Sequence, residues 1–151
     1  IPSGHNPTGA YWYDLQSGNM ITSTYYMDNL PQWVEDYNKQ NRPAFFLNQK
    51  WDLLKDESVY NESITDDNPY EQELRDGSGV TFPYNLAKYK NDLALLKYTP
   101  FTNTMIKEVS MKAVVEEDNH FYQLIFVCVF SVCVCKSDGY TKSPVIYCSF
   151  H

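Results

Sequence analysis

One continuous stretch, Gly9 to Tyr37, reads GAYWYDLQSGNMITSTYYMDNLPQWVEDY and limits the folds open to this chain more than any other segment. Tyr11, Trp12 and Tyr13 are strand formers, Gln16-Ser17-Gly18-Asn19 carries turn chemistry, and Ile21 to Tyr26 mixes β-branched, polar and aromatic residues, which together predict a hairpin. Behind it Leu30, Trp33, Val34 and Tyr37 recur at spacings of three and four, the period of one helix face. Asn29 is the expected cap of that helix, with Pro31 inside the first turn, where its missing N–H costs nothing. A hairpin closed on one side by an amphipathic helix belongs to an α+β architecture.

The segments that follow extend this nucleus. Asn41-Arg42-Pro43 ends the helical pattern. Phe45-Phe46-Leu47 with Trp51, Leu53 and Leu54 form an apolar patch expected to pack on the hairpin. From Lys55 to Gly79 acidic residues are spread among Ser, Asn, Pro and Gly, which reads as a long surface excursion. Tyr84 to Tyr98 is mixed, and Thr99-Pro100 breaks it. Thr102 or Asn103 is then expected to cap a second helix running to Glu117, with Met105, Ile106, Val109, Ala113 and Val114 on its apolar side. Leu124 to Cys135, LIFVCVFSVCVC, is too short to span a bilayer as a helix and reads as a buried strand.

Composition narrows the function classes. Asp and Glu outnumber Lys and Arg by 19 to 12, giving a formal charge of −7, and the basic residues are scattered. That balance argues against a nucleic-acid backbone or an anionic membrane surface as partner. The 13 tyrosines suit a broad face whose rings cover surface while their hydroxyls stay wet. The opening Ile1 to Pro7 has neither the charged start nor the apolar core of a signal peptide and reads as the middle of a longer protein.

Isolated residues with ligating chemistry are few. His5 lies on a Gly/Pro-rich loop with no second ligand at useful spacing, and a plain loop histidine is the simpler reading. Asp66 and Asp67 are adjacent, but a solvated turn explains an Asp-Asp-Asn-Pro segment better than an ion held by neighbours in sequence. Cys128, Cys133, Cys135 and Cys148 follow no usual zinc spacing. His120 and His151 have no better-placed partner.

The order of Ala10-Tyr11-Trp12-Tyr13-Asp14, Ser17-Gly18-Asn19, Ile21 to Met27 and Leu30-Pro31-x-Trp33-Val34 resembles the bacterial phosphate-irrepressible alkaline phosphatases. These belong to the alkaline phosphatase superfamily, beside the type I phosphodiesterases and nucleotide pyrophosphatases. The resemblance continues through Leu47-Asn48-x-x-Trp51-x-x-Leu54, Asp67-Asn68-Pro69-Tyr70-Glu71, Phe82-Pro83 and Thr99-Pro100-Phe101-x-Asn103-Thr104, and covers residues 1–119. It implies a periplasmic or secreted enzyme in which two zinc ions activate a threonine nucleophile and hold the phosphoryl oxygens.

By the same resemblance the nucleophile and its neighbouring Asn lie upstream of the matched region, and a phosphate-contacting Lys-x-Arg pair lies just ahead of Ile1. The next expected ligands are an Asp and, four residues on, a His. Here Asp138 is followed at that spacing by Lys142. The resemblance therefore assigns no catalytic, cofactor-binding or metal residue to this chain, and no zinc to the chain alone.

Two regions are expected: residues 1–119 as a cap or insert of an alkaline-phosphatase-like α/β fold, and 120–151 as a divergent cysteine-containing tail of the kind a shifted reading frame leaves. The function this implies is that of a segment of a zinc-dependent phosphatase or phosphodiesterase that shapes substrate access and leaves catalysis to other residues. The alternative is a stand-alone module whose Tyr and Trp face binds sugars or bases.

Overall fold

The structure, a computed structural model, describes residues 9–62, 66–67 and 69–116, together with the backbones of strands at 123–128, 131–136 and 147–148. β1 (Gly9–Tyr13) pairs with β2 (Met20–Ile21) in the register Trp12↔Ile21 and Tyr13↔Met20. Two helices follow, α1 (Gln32–Lys39) and α2 (Arg42–Leu47). β3 (Lys50–Trp51) and β4 (Tyr84–Asn85) form a separate two-stranded ladder. After 3-10 turns at Leu86–Tyr89 and Leu93–Tyr98 comes α3 (Phe101–Glu116). Strands β5 (Gln123–Cys128), β6 (Ser131–Lys136) and β7 (Tyr147–Cys148) complete a five-stranded sheet of order β2-β1-β6-β5-β7. Helices beside small, mostly antiparallel sheets make this an α+β fold, as the sequence predicts.

The hairpin turn is built by Asp14. Its carboxylate accepts the Ser17 N–H at 2.9 Å and the Ser17 hydroxyl at 2.6 Å, and these bonds hold its pKa below the ordinary carboxylate value. Gly18 closes the turn at φ 74, and a Cβ there would lie 3.2 Å from Leu93 Cδ1 and 3.4 Å from Pro43 Cγ. Glycine thus supplies both the left-handed backbone and the close approach.

The second strand is shorter than the expected Ile21–Tyr26, and local side chains explain why. Asn38 on α1 offers its amide to both sides of Met20, accepting the Met20 N–H at 2.8 Å and donating to its carbonyl at 2.9 Å. Thr22 Oγ1 donates to the Ala10 carbonyl at 2.8 Å, and the Tyr26 N–H turns back to the Ser23 carbonyl at 2.9 Å. These bonds substitute for a ladder beyond Ile21.

The helix starts also differ from expectation. α1 begins after Pro31, not after an Asn29 cap: Pro31 is extended, and its carbonyl accepts from the Val34 and Glu35 N–H groups at 3.0 and 3.2 Å. Asn41, in the left-handed region at φ 48, separates α1 from α2, so Asn41-Arg42-Pro43 ends one helix and starts another. α3 begins at Phe101, directly after Pro100, which places Thr102 and Asn103 inside the first turn. There Thr102 Oγ1 donates at 2.6 Å to the Leu96 carbonyl, which also accepts from Thr99 Oγ1 at 2.8 Å.

The main core joins the hairpin to all three helices: Tyr11, Tyr13 and Met20, with Trp33, Val34 and Tyr37, Phe46 and Leu47, and Met105, Ile106, Val109 and Ala113. Leu30 packs against it partly buried, though from the segment ahead of α1 and not from the helix face the spacing predicts. Leu86, Leu95 and Leu96 are fully buried, contributions that the mixed Tyr84–Tyr98 segment did not advertise. Phe45, Leu54 and Val114, all assigned to apolar faces from the sequence, are exposed: α2 is short and buries Pro43, Phe46 and Leu47, and Leu54 stands on a bend.

The run Leu124–Cys135, expected as one strand, divides into β5 and β6, paired antiparallel from Gln123↔Lys136 to Cys128↔Ser131. The β3–β4 ladder closes the neck of the acidic excursion, in register Lys50↔Asn85 and Trp51↔Tyr84.

Candidate functional site

Three side-chain groups stand out from the scaffold. The first joins α1, α2 and α3. Arg42 Nε donates to Glu108 Oε2 at 2.9 Å while Arg42 Nη2 donates to Glu108 Oε1, a two-pronged pairing of planar groups. Tyr37 Oη donates to the same Oε2 at 3.0 Å. The guanidinium also lies 4.7 Å from the centroids of both Phe45 and Phe46. Burial, followed by the Glu108 charge, pushes the Tyr37 phenol far above its ordinary pKa, and Glu108 raises that of Arg42. The cluster borders a cleft of about 480 Å³ whose wall includes Gln40, Thr104, Lys107, Met111 and Lys112.

The second group ties the excursion to the scaffold. Arg75 Nε donates to the Asp92 carboxylate, whose pKa falls as a result, and the Arg75 guanidinium lies 5.3 Å from the Tyr98 ring centroid. Lys97 Nζ approaches the same ring at 4.6 Å, and its hydrogen bond and charge, with Arg75 behind, lower the pKa of this half-exposed phenol. Two cations near one half-exposed ring make a locally cationic patch suited to contact with an anionic group.

The third is an aromatic cluster at the β3–β4 ladder. Trp51 meets Phe82 edge-on at 5.3 Å and Tyr84 at 5.3 Å, and Phe82 meets Tyr84 at 5.1 Å. The Tyr84 hydroxyl donates to the Val80 carbonyl at 2.7 Å, which fixes the ring at the excursion's neck.

Of the residues weighed as ligands from the sequence, Asp66 and Asp67 are the ones whose side chains lie among the described residues. Asp66 accepts the Phe82 N–H at 3.0 Å, a bond across sixteen residues of the excursion, and Asp67 lies on a bend at φ 76. The four cysteines fall at register positions on β5, β6 and β7, with Ala10 opposite Cys133, Leu124 opposite Cys135, Ser131 opposite Cys128 and Val127 beside Cys148. His5, His120, Asp138, Lys142 and His151 lie outside the described residues. Among the described residues no three His, Cys, Asp or Glu side chains gather as a metal would need. The donors among the described residues do not make up a dinuclear zinc centre.

The Arg42–Glu108 and Arg75–Asp92 pairs carried no local sequence signal. Their members lie 66 and 17 residues apart, and only the fold brings them together.

No protein-family model matches the chain. Individual relatives do. The alkaline phosphatase PafA of Elizabethkingia meningoseptica is 42% identical over 116 residues, covering 76% of this chain and 21% of that protein. The alkaline phosphatase PhoV of Synechococcus elongatus is 36% identical over 118 residues, covering 78% of this chain and 22% of its own length. A Myroides odoratus protein named a calcium-transporting ATPase is 39% identical over 119 residues, again 78% of this chain and 22% of that one. The crystal structure of wild-type PafA superposes with a TM-score of 0.71 at 39% identity, over 76% of this chain and 22% of that chain. The chain thus spans about a fifth of the length of the curated relatives it matches. Over three quarters of its length the chain is homologous, in sequence and in fold, to one segment of the alkaline phosphatases PafA and PhoV.

Proposed function

We propose that this chain supplies the substrate-access cap of a zinc-dependent phosphoric ester hydrolase, residues 1–119 forming the cap region and 120–151 a divergent tail, with bond cleavage carried out by residues elsewhere in the complete enzyme. The supporting observation is the match itself: 116 residues at 42% identity to PafA, confined to 21% of that enzyme. The names of PafA and PhoV support phosphate esters as the substrates, and export of the complete enzyme is part of the same reading. A cap contacts the part of the ester away from phosphorus, so it tunes selectivity through binding that the transition state retains. The Trp51–Phe82–Tyr84 cluster and the cation-flanked Tyr98 are side chains suited to that contact.

The test is a hybrid enzyme in which residues 9–116 of this chain replace the matching segment of the E. meningoseptica phosphatase. The hybrid is expected to fold, to hydrolyse p-nitrophenyl phosphate, and to change the ratio of kcat/KM between a small and a bulky phosphate ester. A hybrid that fails to fold, or one whose selectivity is identical to that of the parent, would contradict the reading.

A further inference from the structure

The cleft bordered by α1, α2 and α3 is cationic on a chain whose formal charge is −7. Its wall holds Arg42, Lys107 and Lys112 against the one carboxylate of Glu108. That carboxylate is already engaged: both its oxygens accept from Arg42, and one accepts from Tyr37 as well. Among the described residues neither Lys107 nor Lys112 forms a salt bridge. Asp36, which lies within electrostatic reach of Lys112, is held by Lys39 at 2.7 Å and by Gln32 at 2.9 Å. Arg42 is fixed in place by the two-pronged bond to Glu108 and by the rings of Phe45 and Phe46, each 4.7 Å from the guanidinium carbon. A guanidinium has more N–H donors than Glu108 takes, and the Gln40 amide and Thr104 hydroxyl on the same wall can also donate. Donors and cations in excess of acceptors select an anion, and a cleft of about 480 Å³ is of the size that holds a small molecule.

We infer that this cleft binds a small, multiply charged phosphate compound, with Arg42 holding phosphoryl oxygens through the N–H groups that Glu108 leaves unused and Lys107 and Lys112 balancing the charge. The positive charge left over after Glu108 is more than a single carboxylate needs, and it matches two linked phosphoryl groups. The side-chain types also fit: the planar fork of Arg pairs with phosphate oxygens, and Lys serves them as a point charge. Because Arg42 is already held by Glu108 and two rings, ordering it costs little when the anion arrives. The site shares no residue with the Trp51 and Tyr98 groups, so it does not depend on the proposed function.

The experiment titrates the full chain with inorganic pyrophosphate by calorimetry at fixed ionic strength, while amide shifts in the NMR spectrum report the location. Saturable binding with a dissociation constant below about 1 mM is expected, with the largest shifts at Gln40, Thr104 and Lys107 to Lys112. Replacing both lysines, Lys107→Gln with Lys112→Gln, should weaken binding at least about tenfold, because each change removes a charge-assisted contact. Where Lys112→Gln disturbs folding, Lys107→Gln alone, at an exposed position, should still weaken binding about threefold. Lys88→Gln with Lys90→Gln, exposed lysines that do not border the cleft, should leave the affinity unchanged. Citrate at the same ionic strength should bind at least about tenfold more weakly than pyrophosphate. Absence of saturable binding would overturn the inference. So would equal weakening by the two lysine pairs, the mark of a general attraction of anions to surface lysines, and so would equal affinity for citrate, which would remove the selection for phosphate.

Discussion

Glu108 is the residue on which α1, α2 and α3 converge, and its loss separates stability from surface appearance. It is nearly a third exposed, yet it accepts from Arg42 twice and from Tyr37 once. Replacing it by Ala leaves a part-buried guanidinium and a buried phenol without their acceptor. Glu108→Ala should cost about 1.5–3 kcal/mol in urea unfolding, the range for hydrogen bonds to charged groups. Tyr37→Phe, which removes one of those bonds and keeps the ring, should cost about 1 kcal/mol. Equal losses would place the effect in the Tyr37–Glu108 hydrogen bond and take the Arg42 pairing out of the account.

Tyr13 and Tyr37 set the alkaline limit of the fold. Burial raises Tyr13 to about 12, with Asp14 adding to the effect, and raises Tyr37 further. A group whose folded pKa lies above its unfolded value favours the folded state fully below the unfolded value, about 10 for Tyr. That contribution is lost as pH rises through the folded value, because the unfolded chain releases the proton first. Stability should therefore fall between about pH 10 and 12. Phenolate absorbance should show exposed tyrosines titrating before the far-UV signal changes, and Tyr13 and Tyr37 titrating with unfolding. Tyr37→Phe should flatten the decline, and an unchanged slope would remove Tyr37 from the account. None of this was legible in the sequence, since the partners of Tyr37 lie on α2 and α3.

At the scale of elements, the buried faces of the two longer helices were legible from local spacing. The three-and-four spacing of Trp33, Val34 and Tyr37 placed α1 and its buried face, and the same spacing placed Met105, Ile106, Val109 and Ala113 on α3. The extent of the second strand was not legible, because beyond Ile21 the Thr22 hydroxyl takes the Ala10 carbonyl and the Tyr26 N–H turns back to Ser23. The cap of α1 was misplaced because Asn29 has the right chemistry while Pro31 has the right backbone. Trp33 packs edge-on against Tyr11 at 5.2 Å between centroids and is 9% exposed. Trp33→Ala should cost about 3–5 kcal/mol, the usual range for a buried large aromatic. A loss below about 1 kcal/mol would mean that α1 does not close the hairpin in solution.

At the scale of the whole molecule, the described residues hold a built core and several binding-type side-chain clusters. The family resemblance drawn from short motifs agrees with the relatives and with the PafA structure, and it identified the family because many weak matches occurred in order. The candidate site was not legible in that way, since the aromatic and cationic groups near Trp51 and Tyr98 are assembled across the excursion by the fold. The central claim is that this chain shapes access to a phosphatase centre whose bond-breaking groups lie elsewhere. Its most direct test is hydrolysis of p-nitrophenyl phosphate by the purified chain with zinc supplied, followed with and without chelator. The account predicts turnover indistinguishable from a protein-free control in both cases; zinc-dependent turnover that co-purifies with the chain and disappears on chelation would contradict it.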